Sequence, residues 1–291
     1  MDNTVYPALY QSANSSAKQA QSEYLFLIRA EYGLLLIASI LGMNWSSTNL
    51  YHIGYAFVFV LAAIALLFRS IKKPEESWYR SRALAESIKT STWRYMMRAE
   101  PFVDAKSIEK PRAEFREYLR EILKTNQQVG DVIAGDPSSV EEQVTNEMEQ
   151  IRLTAIEERK EVYRKDRIEN QKKWYSDKAK NNKKAFRFWI AATVCIYLAS
   201  ILSVLAQIAY PTWELWPTHT LVVLASAFIG WIQIKKFNEL ASSYTLTAHE
   251  IGIIQSRIDE VNNEEQFSDF VNESELAFSR EHTQWVARQH E

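Results

Sequence analysis

Apolar residues follow two different rhythms along this chain. In four segments, grouped as two close pairs, they run almost unbroken; elsewhere they recur every three or four residues among dense charges. No Asp, Glu, Lys or Arg occurs in residues 32–68, 188–213 or 215–234. A bilayer core about 30 Å thick takes roughly 17–25 apolar residues per helical crossing. Each pair therefore predicts a membrane hairpin, residues 24–43 with 51–68 and residues 188–208 with 218–234. Arg29 and Glu31 come early in the first segment, at headgroup level, where a long cation can snorkel. Pro211 and Pro217 bracket the second turn.

The polar remainder has helical spacing. Trp78, Ala85, Ile88, Thr92, Tyr95 and Met96 mark one face of a helix that Pro101 closes, and Pro111 opens another over 112–124. Val144, Met148, Ile151, Ala155 and Val162 form a coiled-coil-like seam on a long helix leading, with or without a break, into the third segment. Phe237, Leu240, Tyr244, Ala248, Ile251, Ile254, Ile258 and Val261 stripe the next helix, and a last one covers 267–288. The predicted fold is an all-α integral membrane protein: four transmembrane helices as two hairpins, with long cytosolic helices forming a helical bundle. Residues 1–23 read as a polar lead-in and 24–126 as a first module. Residues 127–137, with Gly130, Gly135 and Pro137, read as a linker, and 138–291 as a second module repeating the plan.

Charge fixes the expected orientation. Arg69, Lys72 and Lys73 follow the second segment, Lys178, Lys180, Lys183, Lys184 and Arg187 precede the third, and Lys235 and Lys236 follow the fourth. The turns hold only Glu214, so the positive-inside rule places both termini and the middle section in the cytoplasm. The same clusters suit anionic lipid, with plain topology determinants as the simpler reading. Residues 1–23 lack the features of a cleaved signal, so the first span is expected to act as the targeting signal. A net charge of -2 argues against a nucleic-acid partner. The single cysteine, Cys195, reads as a packing residue in the third span.

Catalytic signatures are missing. Seven scattered glycines offer no phosphate-cradling loop, and His249-Glu250 and Glu281-His282 point apart on a helix. No enzyme activity, metal or cofactor is expected. The spans also lack the interior Asp, Glu or Lys of a coupled pump. They do carry a polar row, Thr193, Tyr197, Ser200, Ser203 and Gln207, at helical spacing along the third span. This row reads either as pore lining or as interhelical hydrogen bonding, and by itself it favours the second. Ala38/Gly42 and Ser226/Gly230 are small-xxx-small pairs that also suit close packing.

Three stretches carry a family resemblance: Trp78-Tyr79-Arg80-Ser81-Arg82 with Glu86, Lys89 and Trp93; Tyr163-Arg164-Lys165-Asp166-Arg167 with Gln171, Trp174 and Tyr175; and Glu275 with Arg280, Glu281, His282 and Trp285. With the two hairpins they resemble tandem SLATT domains, the SMODS- and SLOG-associating two-transmembrane effectors. The resemblance implies a homo-oligomeric bacterial effector of a nucleotide-linked antiviral system, which forms or gates a pore through the inner membrane. A nucleotide-generating or nucleotide-sensing protein is the implied partner. It tips the polar row toward the pore reading. Arg80, Arg82, Arg164 and Arg167 are the ligand or partner candidates, with salt bridges to nearby carboxylates as the plainer account. The alternative function is a non-conducting membrane scaffold that tethers cytosolic signalling partners.

Overall fold

The computed structural model describes residues 5–103, 107–125 and 142–287, with side chains described as far as Ser279. The expected linker at 127–137 lies outside the described residues, as do the side chains of Arg280, Glu281, His282 and Trp285. Among the described residues every regular element is helical. In chain order they are α1 (Ala8–Leu41), α2 (Asn49–Lys72), α3 (Pro74–Met96), α4 (Glu109–Thr125), α5 (Asn146–Leu153) and α6 (Ile156–Val162). A π-helical segment, Tyr163–Glu169, leads into α7 (Asn170–Ala209), and α8 (Thr218–Lys235), α9 (Phe237–Arg257) and α10 (Glu264–Ala287) complete the chain. Four helices are long and apolar enough to cross a membrane, which makes this a membrane protein.

Local chemistry sets the boundaries. Pro7 starts α1, its carbonyl accepting from the Tyr10 N–H at 2.9 Å. The Thr48 and Thr145 hydroxyls cap α2 and α5 by accepting from the N–H groups of Tyr51 and Met148. The two hairpins exit alike. Lys73 and Lys236 both adopt left-handed backbone, φ 44° and 46°, and their N–H groups return to Arg69 and Ile232. Pro74 and Phe237 then begin the following helices.

The structure adds two details to the sequence pattern. The polar lead-in is already helix from Ala8, because Ala8, Ser12, Ala13, Ser16, Ala17 and Ala20 are small residues that bury a face without raising hydropathy. Of the two forms expected for the helix before the third span, the broken one is present, interrupted at Thr154 and Ala155, whose backbones are extended. Its buried face is also not the apolar seam. Met148 is buried, Val144, Ile151 and Val162 are half-buried and Ala155 is exposed, while Arg152, Arg159 and Arg167 are buried.

The chain divides into two compact units, neither continuous in sequence. The polar unit comprises Met1–Gln21, Pro74–Ser176 and Thr245–Glu291; the membrane unit comprises Ser22–Lys73 and Asp177–Tyr244. In the polar unit α3 packs on α10 and on α5, around Trp93, Tyr95, Phe102, Phe115, Tyr163, Phe267 and Phe270. Edge-on contacts link Tyr163 to Trp93, Phe267 and Phe270. In the membrane unit the hairpins are joined by hydroxyls and small residues. Ser39 donates to Thr220 Oγ1 at 3.2 Å, and Gly230 lies against the Tyr32 phenol so closely that an added Cβ would sit 2.2 Å from its oxygen. Gly42 makes similar room for the Tyr55 hydroxyl. The small-residue pairs thus accommodate tyrosines.

Candidate functional site

The polar row of the third span runs down α7 within the membrane unit. Thr193 and Ser200 donate to the carbonyls of Trp189 and Ile196, both at 2.8 Å, which are back-bonds within their own helix. Ser203 and Gln207 converge on Thr218, the first residue of α8. The Ser203 and Thr218 hydroxyl oxygens are 2.8 Å apart, and Gln207 Nε2 donates to the same Thr218 oxygen at 2.7 Å. This three-residue knot ties the hairpin at its turn end. The sequence row omitted Thr218, although its place just after Pro217 marks a helix start facing Gln207 across a short turn. Tyr197 differs from the rest: it is 48% exposed at mid-span and has no hydrogen-bond partner among the described residues.

The four candidate arginines all carry carboxylates. Arg80 pairs with Glu76 at 3.3 Å and Arg82 with Glu86 at 2.6 Å, each one turn along α3. Arg164 pairs with Asp259 and borders a cleft of about 310 Å³ lined also by Glu169, Gly252, Gln255 and Ser256. Lys172 reaches Gln255 at 2.9 Å beside it. Arg167 is a core group. Its Nε and Nη2 donate to the two oxygens of Glu275 at 2.8 and 2.5 Å, and both side chains are almost fully buried. Arg167 also lies over Phe278, while Tyr163 donates to Glu275 at 3.0 Å. Burial, reinforced by the Glu275 charge, holds the Tyr163 phenol well above its ordinary pKa.

Of the family-motif residues, Trp93 donates from Nε1 to the Tyr6 hydroxyl at 3.1 Å, and Trp174 meets Tyr175 edge-on, as Trp78 stacks on Tyr79. Gln171 lies part-buried on α7. Lys89 is half-buried within electrostatic reach of Arg82, Glu86, Arg167 and Glu275; burial first, and then the Arg167 charge, lowers its ammonium to about 8.

Three further buried cations escaped the sequence reading. Arg152 donates to the carbonyls of Tyr95 and Phe102 and stacks on the Tyr95 ring, and Arg159 donates to the Met97 carbonyl at 2.9 Å. Lys160 donates to the Val261 carbonyl at 2.8 Å. Arg152 and Arg159 therefore close the carbonyl end of α3, where the helix leaves acceptors open and its dipole favours cations. Their seven-residue spacing, which an unbroken helix would put on one face, was the available signal.

The family model for SMODS and SLOG-associating 2TM effector domain 3 matches residues 7–160. That for SMODS and SLOG-associating 2TM effector domain 1 matches residues 163–285. No curated protein and no solved structure matches the chain.

Proposed function

Since the chain belongs to the SMODS and SLOG-associating two-transmembrane effector family, with two of its domains in tandem, we propose that it is a membrane-permeabilising effector that conducts only as an oligomer. Tyr197 is the observation that carries this reading. A phenol at mid-span without a partner costs several kcal/mol in hydrocarbon, so it calls for a second copy or for water. It lies in the same row as Ser200, Ser203 and Gln207, so copies meeting along this face would bring several polar rows together. The knot at Thr218 would hold the path shut in a single chain, and hydration of Ser203 and Gln207 would open it.

The trigger in this reading is a nucleotide-generating or nucleotide-sensing protein docking on the polar unit, where Arg80 and the Arg164 cleft are the accessible candidates. The basic residues at the exits of α2 and α8 support a cytoplasmic polar unit and an inner-membrane location. Tyr197→Phe, or Ser200→Leu with Ser203→Leu, is expected to reduce dye leak from triggered cells and single-channel current in liposomes at least tenfold. Folded protein should be recovered at wild-type yield. Wild-type leak in both variants would defeat the pore reading.

One observation favours a second reading, a non-conducting scaffold: four of the five polar residues already have partners within the chain. That reading expects no current under any trigger.

A further inference from the structure

Two cations from different hairpins converge on one indole in the membrane unit. Arg29 Cζ lies 5.1 Å from the Trp231 ring centroid and Lys235 Nζ lies 5.8 Å from it. Lys178 on α7 is within electrostatic reach of Lys235, as is Arg29 itself. Two positive charges, from α1 and α8, thus gather on Trp231, whose ring meets Trp189 edge-on at 6.5 Å.

The two acids of α1 are already engaged. Glu31, two residues beyond Arg29, is held bidentately by Arg69 at 2.9 and 3.1 Å, and Glu23 pairs with Lys72. Neither Arg29 nor Lys235 has a carboxylate partner among the described residues. Cation–π attraction contributes about 0.5–1 kcal/mol per cation at exposed sites. That does not remove the mutual repulsion of charges drawn to one ring, and an anion between them would.

The cluster stands at the basic ends of charge-free spans, with Arg29 exposed and Trp231 half-buried. At this depth in a bilayer the abundant anion is a lipid phosphate, and basic pockets between membrane helices take such headgroups. We propose that Arg29 and Lys235, gathered on Trp231, form a binding site for the phosphate of an anionic phospholipid on the cytoplasmic leaflet. The guanidinium supplies the directional donors, the Lys235 ammonium supplies charge, and the Trp231–Trp189 edge lies along the start of the acyl chain. A free phosphate offers the same oxyanion but no acyl chain for that apolar edge.

The test uses the full chain in neutral detergent with phosphatidylglycerol, phosphatidylcholine or inorganic phosphate added. Native mass spectrometry should show phosphatidylglycerol retained, with phosphatidylcholine retained at least tenfold less. The melting temperature should rise with the anionic lipid only. Arg29→Gln with Lys235→Gln should abolish that preference, yet melt no lower than wild type without lipid because repulsion is relieved. Should that variant fail to fold, Arg29→Lys is the second probe, expected to bind severalfold more weakly. Lys183→Gln with Lys184→Gln removes equal charge nearby and should leave the preference intact. An undiminished preference in Arg29→Gln/Lys235→Gln, or equal loss in Lys183→Gln/Lys184→Gln, overturns the site in favour of diffuse attraction. Equal stabilisation by inorganic phosphate overturns the lipid assignment.

Discussion

Arg167 and Glu275 hold each other in a core where neither charge is tolerable alone. Removing one partner of such a buried pair typically costs about 3–5 kcal/mol, whereas replacing both by apolar residues is often near neutral. Arg167→Met and Glu275→Leu should each lower the denaturation midpoint of the detergent-solubilised chain sharply, and the double variant should recover most of the loss; simple additivity would show the pair to be uncoupled. Lys89 makes a pH prediction. Its folded pKa of about 8 lies below the ordinary lysine value, so between the two the unfolded chain binds more protons and stability rises with pH. The gain should run from about pH 8 toward pH 10 and flatten in Lys89→Met, as followed by thermal melts. At higher pH the buried Tyr6 and Tyr163, both raised by burial, act in the opposite sense and stability should fall. These charges were legible as residues of interest, but their burial was not. A cation that caps carbonyls leaves the same trace in a sequence as one that faces water, and only the seven-residue spacing of Arg152 and Arg159 hinted otherwise.

At the scale of elements, the spans and turns were the most legible part, because the bilayer imposes length and charge rules that a local window captures. The exits at Lys72-Lys73 and Lys235-Lys236 occupy matching places, and the structure gives both the same left-handed stop. The first sixteen residues of α1 were harder, since alanine and serine pack closely without scoring as apolar. The break at Thr154 and Ala155 had no Gly or Pro to announce it. Within the membrane unit, Gly230 yields a direct test. Gly230→Val places side-chain atoms where the Tyr32 phenol sits and should lower the melting temperature by several degrees. Combining it with Tyr32→Leu should recover part of the loss. If Gly230→Val melts like wild type, the contact between the first and fourth spans is not tight in solution.

For the whole molecule, sidedness is the quantity most open to measurement. Cys195 is the lone cysteine, so Cys195→Ala gives a blank background. A cysteine placed at Ser46, in the first turn, should react with a membrane-impermeant maleimide added to intact spheroplasts, and one placed at Glu76 should react only after lysis. The reverse pattern would invert the topology. Which helices share a core could not be inferred from their order along the chain, because hydropathy reports that a face is covered and is silent about what covers it. Tyr163 illustrates this: it touches Trp93 from the first matched domain and Phe267 from the second.

That shared core bears on how such a tandem could have arisen and how it can be dissected. With α3 seated on α10, a gene cut between residues 160 and 163 would yield two polypeptides, each exposing the surface meant for the other. Made separately, both should be cleared or aggregate. Made in the same cell, they should find one another and restore the effector, so that the second domain behaves as an obligate half and not as a spare copy.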